Sequence, residues 1–398
     1  MNTSSSTLTG ATAQHSWLAV VSISLATFSV VTTEMLPVGL LTPIADTLHS
    51  STGTAGLMIS LPALLAALFA PIVVIASGGM DRRKILCGLL ALLSTTNIAS
   101  ALAPNIGWML AARVLVGFCM GGIWAIAGGL AARLVRESSI GLATSIIFGG
   151  VAAASVLGVP LGALIGDVAG WRWAFGCMAL LSGLVLMLHL AVIPALPVTH
   201  SVAVRQFGEQ LSNRKLQVGL ILTLLLVTGH FMAFTFVRPL LLSVSGFDTQ
   251  WVSALLFAYG MTGIVGNFLA GIIAAQRTVL TLMAIALGLL LTLILFLTIG
   301  GSPVGGGVAL VTWGLAYGGV SVALMTWMMK AAPRAVEIAS ALYVGVFNLS
   351  IALGSWLGGQ IVDNSGLIAT LWLAVGFASV ALLLSLSIWL TERRKIVE

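Results

Sequence analysis

Charged side chains are scarce in this chain: Lys, Arg, Asp and Glu make up only 7% of its 398 residues, whereas 59% are hydrophobic. A soluble domain carries about 25% charged residues. So few charges exclude a water-soluble fold, and the composition predicts a membrane protein. The formal net charge of +6 does not indicate nucleic-acid binding, because cytoplasmic loops of membrane proteins collect Lys and Arg. The sequence also has no basic face or aromatic platform for a nucleic acid.

Cysteines and catalytic motifs are also sparse. The three cysteines, Cys87, Cys119 and Cys177, are scattered through apolar stretches, so we expect no disulfide and no metal site. No HExxH motif, acid pair or Ser/His/Asp set occurs at membrane depth, which argues against an enzyme. No filter sequence or ring of charges indicates a channel.

Long apolar runs dominate the rest of the chain. A helix needs about 20 apolar residues to cross a membrane, and no run shows the two-residue alternation of a barrel strand. The sequence therefore predicts an all-α membrane protein with twelve transmembrane helices. These spans 1 to 12 lie near 17–42, 53–77, 85–103, 108–132, 140–166, 173–193, 216–242, 251–274, 278–299, 305–329, 336–361 and 367–390.

The loop charges predict the orientation. We call one side of the protein the basic face; its loops and the C-terminal tail carry Arg82, Arg83, Lys84, Arg133, Arg136, Arg205, Arg214, Lys215, Arg277, Lys330, Arg334, Arg393, Arg394 and Lys395. The opposite side, the acidic face, carries Asp46, Asp167, Asp248 and Asp363, with Arg172 as its one clear loop cation. The positive-inside rule then places the basic face and both termini in the cytoplasm.

The longest polar break, 194–215, divides the spans into six and six. It predicts an N-terminal bundle at 1–193, a cytoplasmic linker at 194–215 and a C-terminal bundle at 216–398. Glycine patterns of spans 4 and 5 return in spans 10 and 11, which favours two parallel repeats with a site between them. Chance similarity of glycine-rich helices is the alternative.

Glu34 is the only carboxylate deep inside an apolar stretch. A charge at membrane depth is costly and is by default a candidate for function. It lies about 12 Å from the acidic-face end of span 1, while Arg113 and Arg238 lie about 8 Å and about 6 Å inside spans 4 and 7. Arg113 snorkelling to the surface, or locked in a fixed ion pair with Glu34, is the structural alternative.

Several motifs resemble those of a known family. The loop Gly78-Gly79-Met80-Asp81-Arg82-Arg83-Lys84 is similar to a shortened form of its loop signature, and Arg113 lies in a segment like its span-4 motif. Gly158-Val159-Pro160-Leu161-Gly162 resembles the Gly-Pro kink of exporters. The segments 32–40 and 229–239 resemble those of sugar and nucleoside exporters. The chain thus resembles the major facilitator superfamily, and within it the twelve-span drug:proton antiporter-1 family, including its sugar and purine-nucleoside efflux members.

The resemblance implies two pseudo-symmetric six-helix bundles with a cavity lined by spans 1, 4, 7 and 10. It links Arg113 to proton transfer. The depth of Glu34 and the titratable ring of His230 add these two residues as proton-coupling candidates, with hydrogen bonding to the substrate as the alternative for His230. Substrate-binding candidates are Thr33, Glu34, Trp124, His230, Arg238, Trp313, Tyr317 and Asn348. Gating candidates are Gly78, Asp81, Arg82, Arg83, Gly158, Pro160 and Gly162.

The predicted function is therefore secondary transport. We expect export of a sugar, nucleoside or drug across a bacterial inner membrane by proton antiport with alternating access. The alternative is a proton-independent facilitator or importer of a small polar solute. We expect a monomer that uses the proton gradient, without a cofactor or nucleic-acid partner.

Overall fold

The computed structural model describes residues 5–76, 80–136, 139–196 and 204–397, and the regular elements in these ranges are helical. Spans 1 to 6 are Ser5–Thr47, Thr52–Ala76, Arg82–Ala101, Ile106–Leu134, Ile140–Ala153 continued by Val159–Ala169, and Trp171–Val192. A short helix, Val204–Leu211, precedes span 7. Spans 7 to 12 are Arg214–Phe234 with Val237–Pro239, Thr249–Ile299 for spans 8 and 9 together, Pro303–Gly318 with Val320–Ala331, Val336–Ser365 and Leu367–Val397.

The predicted set of spans is confirmed. Among the described residues, 11 helices are long and apolar enough to cross a membrane. The longest, Thr249–Ile299, contains two predicted spans that meet at Arg277, whose backbone is not helical (φ −131°, ψ 58°). The all-α fold of about twelve membrane-crossing helices therefore agrees with the sequence.

Spans 5 and 7 are each interrupted by a π-helical turn beside a proline. The turn Ala154–Gly158 precedes Pro160, and the turn Leu240–Val244 follows Pro239. Proline has no N–H and cannot continue the α-helical bonding pattern, and π-helical geometry occurs mostly as single turns inside α-helices, as it does here. The predicted kink of span 5 is therefore a real departure from α-helical geometry.

The buried clusters differ between the two faces. Toward the basic face, residues of spans 1 to 6 such as Ile23, Leu90 and Ile123 pack in a cluster that contains no described residue of spans 7 to 12. Toward the acidic face, Leu36 and Met58 share a cluster with Phe236 of span 7. The two sets of six spans are thus joined at the acidic face. The division into 1–193, 194–215 and 216–398 stays a prediction.

Candidate functional site

Glu34 lies at the junction between the two sets of spans. Its side chain is buried, and its Oε1 atom has no hydrogen-bond partner. The preceding residue, Thr33, is fixed by a bond from Asn97 Nδ2 to its hydroxyl at 3.1 Å. A buried acceptor without a partner is costly. A proton, an ion or a solute bound to this Glu34 oxygen would therefore supply the partner that it lacks.

Arg113 is buried beside Glu34 but bonds to backbone. Its guanidinium donates to the carbonyl oxygens of Met58 at 2.9 Å, Thr33 at 2.8 Å and Glu34 at 2.8 Å. The Met58 and Thr33 carbonyls lie four residues before Pro62 and Pro37, and a proline cannot donate to them. Arg113 thus satisfies two acceptors that prolines leave free in spans 1 and 2.

The fixed Glu34–Arg113 ion pair considered above is not formed. Both residues are described, and neither a hydrogen bond nor an ion pair joins the carboxylate to the guanidinium, although the two charges interact electrostatically. Arg113 also does not snorkel, since its side chain is completely buried. The carboxylate therefore remains available while the arginine holds the helices.

An aromatic cluster lies in the C-terminal set of spans. The ring of His230 stacks on Tyr317, with centroids 3.3 Å apart, and on Phe234 at 4.8 Å. Trp313 Nε1 donates to His230 Nδ1 at 3.1 Å. Phe234 in turn stacks on Tyr259 at 4.6 Å. Spans 7, 8 and 10 thus present a continuous aromatic surface.

Tyr317 is the member of the cluster that interacts electrostatically with Glu34. The Tyr317 hydroxyl is buried without a hydrogen-bond partner, and it interacts electrostatically with Glu34 across the junction. It also interacts with Tyr259 and Tyr343, so all three tyrosines of the chain gather in one place. A solute between Glu34 and Tyr317 would offer both free oxygens a partner.

The remaining binding candidates are spread more widely. Asn348 donates to Val344 of its own helix at 2.9 Å and keeps a buried, unpartnered Oδ1. Trp124 packs against the buried cluster of spans 1 to 6. Arg238 lies nearer the acidic face and bonds to Asp167 at 2.6 Å. The structure thus brings Glu34, Thr33, Arg113, His230, Trp313 and Tyr317 together, and it engages Arg238 elsewhere.

The loop after span 2 is bound to the end of span 6. Asp81 Oδ1 accepts from the backbone N–H groups of Leu196 at 2.8 Å and Arg83 at 2.9 Å. Both bonds lower the pKa of Asp81, and the bond from Leu196 has the larger effect. Arg82 N donates to the Leu196 carbonyl at 3.1 Å, and Arg83 donates to the Leu190 carbonyl at 2.6 Å. Gly78 lies outside the described residues.

The glycines of span 5 set its contact with span 1. An added Cβ at Gly158 would collide with Thr32, and one at Gly162 would collide with Leu36. Both partners lie on the Glu34 segment, so the two helices touch because glycine occupies these positions. Pro160 lies between the two glycines, just after the π turn. The exporter-like motif is therefore a packing seam that positions Glu34.

Sequence reasoning overlooked part of the site. It named Tyr317 but not Tyr259 or Tyr343, and it placed Asp167 only as a loop charge. A chain of this length with only 3 tyrosines offered a signal, since all of them lie in the C-terminal half. Their convergence depends on helix packing and could not be derived from spacing alone.

Comparisons with known proteins agree with this architecture. The family model described as Major Facilitator Superfamily matches residues 23–344. The chain is 34% identical to the "Transcription regulatory protein OpdE" of Pseudomonas aeruginosa, over 93% of this chain and 92% of that protein. It is 32% identical to the "Uncharacterized MFS-type transporter YfhI" of Bacillus subtilis, over 94% and 95%.

Solved structures share the fold. One is a bacterial homolog of the human lysosomal transporter Spinster in an inward-facing and occupied conformation, with a TM-score of 0.75, 17% identity and coverage of 94% of this chain and 96% of that one. Another is the human organic anion transporter MFSD10 (TETRAN), with a TM-score of 0.66, 18% identity and coverage of 92% and 98%. At these identities the likeness concerns the fold.

Proposed function

This chain belongs to the major facilitator superfamily, a family of membrane transporters, and we propose that it exports a small organic solute in exchange for protons. In this proposal the basic face is cytoplasmic, the membrane is a bacterial inner membrane, and one chain carries the complete site. Glu34 is the proton carrier. The solute binds between Glu34 and the aromatic surface around Tyr317.

The observation that carries the proposal is the pair of free oxygens on Glu34 and Tyr317. They lie on opposite sets of spans, both buried and both without partners. A carboxylate without a fixed partner can exchange a proton, whereas one bound in an ion pair is held in its charged form. Because the two oxygens belong to different bundles, a solute bound to both would link occupancy of the site to the relative movement of the bundles.

Protons and solute compete for Glu34 in this scheme. When the site faces the acidic face, Glu34 takes a proton and releases the solute. When it faces the basic face, the proton leaves and a solute binds to the ionised carboxylate. Arg113 positions Glu34 through the Thr33 and Glu34 carbonyls and keeps a positive charge close to it.

His230 has a different role in this proposal. Its Nδ1 accepts a hydrogen bond from Trp313 Nε1, and a ring nitrogen that accepts such a bond carries no proton. A neutral His230 suits stacking and hydrogen bonding better than proton carriage. We therefore assign it, with Trp313 and Tyr317, to solute binding.

The aromatic surface also favours one kind of solute. Flat rings bind stacked or edge-on to aromatic side chains, and Tyr259 and Tyr317 are both only partly buried. A nucleoside or an aromatic drug would use these rings more fully than a simple sugar. A solute that also donates a hydrogen bond or carries a positive charge would satisfy Glu34.

Purified protein in liposomes tests the proposal. An imposed pH gradient should drive a nucleoside or aromatic drug against its concentration gradient. Glu34→Gln should abolish this accumulation while leaving downhill exchange measurable. Asp46→Asn, an exposed acid at the acidic face, is the matched control and should behave like the unchanged protein.

A proton-independent facilitator or importer is the competing function. It predicts downhill transport that no pH gradient can drive uphill, and a Glu34→Gln variant that keeps full activity. The name of the Pseudomonas relative suggests regulation instead, but the apolar spans and the buried site between the two bundles support transport.

A further inference from the structure

Two aspartates occupy equivalent places in spans 5 and 11. Aligning Gly158 with Gly354 also aligns Gly162 with Gly358, Asp167 with Asp363, and Gly170 with Gly366. Gly170 and Gly366 both have positive φ angles, 96° and 85°, and both follow the last residue of their helices. The two acids therefore stand in the same register, at the acidic-face ends of matching helices.

Asp167 bonds across the junction to span 7. Its Oδ1 lies 2.6 Å from Nη2 of Arg238, and Nη1 of the same guanidinium donates to the Gly39 carbonyl of span 1. Arg238 is buried, and Asp167 is 18% exposed. One arginine of the C-terminal spans is thus held by two elements of the N-terminal spans.

Asp363 bonds across the junction in the opposite direction, to the beginning of span 2. Its Oδ1 accepts from Gly53 N at 2.8 Å, and its Oδ2 accepts from the Ser51 hydroxyl. A carboxylate is stabilised by the free N–H groups and the positive end of a helix N-terminus. The helices meet closely here, since a Cβ on Gly53 would collide with the Gly359 carbonyl.

The other two acids of the acidic face differ. Asp46 and Asp248 are both exposed, and Asp248 makes no side-chain bond to the helix that it precedes. Among the described acids of this face, bonds across the junction therefore involve the two that occupy equivalent positions.

We propose that Asp167 and Asp363 form a paired latch that holds the acidic face closed. Each aspartate ties its own bundle to the other one, so the acidic face opens only when both sets of bonds break. The latch sets the balance between the two orientations of the protein. It operates whatever the solute is and whether or not protons are coupled to transport.

Distance measurements between spin labels test the latch without any solute. Leu102 and Val304 are exposed near the acidic face, one in each set of spans, and both are replaced by labelled cysteines after the native cysteines are substituted. In liposomes without a pH gradient, Asp167→Asn and Asp363→Asn should each raise the population with the longer distance about fivefold. The double variant should raise it further.

Asp46→Asn and Asp248→Asn are matched controls and should leave the distances unchanged. Gly53→Ala gives a second test that removes no charge, because its methyl group separates spans 2 and 11 at the latch. Size-exclusion profiles identify the folded fraction on which the distances are measured. Unchanged distances in folded Asp167→Asn, Asp363→Asn and Gly53→Ala would overturn the latch. The proton-export proposal would be unaffected by that result.

Discussion

Arg113 Nη1 donates to the Thr33 carbonyl at 2.8 Å, the acceptor that Pro37 leaves without a helical donor. The same guanidinium serves the Met58 carbonyl, which Pro62 leaves free in span 2. One buried arginine therefore replaces two missing backbone bonds and joins spans 1, 2 and 4. Its first role in this fold is to hold the helix that carries Glu34.

Replacing Arg113 with methionine should destabilise the protein by about 3 kcal/mol. The substitution keeps an apolar chain of similar length but leaves buried carbonyls without donors, and bonds from charged groups contribute about 1.5–3 kcal/mol each. Unfolding in detergent, followed by tryptophan fluorescence, measures the change. Arg133→Met at the basic face provides an exposed comparison.

Substitutions of Pro37 and Pro62 test why Arg113→Met loses stability. Pro37→Ala and Pro62→Ala restore N–H groups that can bond to Thr33 and Met58. Each should therefore be less destabilising, or even stabilising, in the Arg113→Met background than in the unchanged protein. A coupling of about 1 kcal/mol in a double-mutant cycle is expected. Strictly additive effects would show that Arg113 does not act through these carbonyls.

Tyr317→Phe should weaken solute binding by about tenfold. It keeps the ring that stacks on His230 and removes only the buried hydroxyl that has no hydrogen-bond partner, a change of about 1.4 kcal/mol. Tyr343→Phe is the matched control, because the Tyr343 hydroxyl contacts the Ser321 carbonyl at 3.5 Å. Binding is measured by scintillation proximity or calorimetry with the transported solute.

Equal losses in Tyr317→Phe and Tyr343→Phe would contradict this site. The effect would then come from general disturbance of the tyrosine group. An effect in Tyr317→Phe alone would locate the solute at the junction of the two bundles.

Substitutions of His230 and Glu34 should have different effects on proton coupling. His230→Asn removes the ring that accepts from Trp313 and should lower solute affinity while preserving the number of protons exchanged per solute. Glu34→Gln should remove the proton flux itself. Simultaneous measurement of solute and proton fluxes in liposomes distinguishes the two. Loss of proton flux in His230→Asn would make the histidine part of the proton path.

The sequence was sufficient to predict the fold and to single out Glu34 as its most unusual residue. Twelve apolar runs predicted the helices, and a single deep carboxylate identified Glu34, because both signals are local. The carbonyl partners of Arg113 could have been proposed from the sequence, since the carbonyl left without a helical donor lies four residues before each proline. The order of the helices in space was still needed to choose between backbone and Glu34 as its partner.

Long-range pairing was not predictable from one sequence. The depth of Arg238 in span 7 predicts solute binding, whereas its ion pair with Asp167 depends on how spans 5 and 7 approach each other. The meeting of Tyr259, Tyr317 and Tyr343 likewise depends on the rotation of three separate helices. Spacing along each helix fixes which side chains share a face, but not which faces meet.

Alanine substitutions at two glycines of span 5 should have different effects on stability. At Gly158 the added methyl would collide with Thr32 on span 1, whereas at Gly149 no atom lies within 4 Å. Gly158→Ala should therefore cost about 1–3 kcal/mol of stability through overpacking and displace the Glu34 segment. Gly149→Ala should be neutral or stabilising by up to about 1 kcal/mol, since alanine favours helix over glycine.

Unfolding midpoints and solute transport together measure the contrast between these glycines. If span 5 acts mainly as a seam against span 1, Gly158→Ala lowers both stability and transport, and Gly149→Ala changes neither transport nor fold. If span 5 instead needs glycine for flexibility along its whole length, Gly149→Ala slows transport without loss of stability. That outcome would indicate that the motif acts through bending and not through packing, because the added methyl group at Gly149 would contact no neighbouring atom.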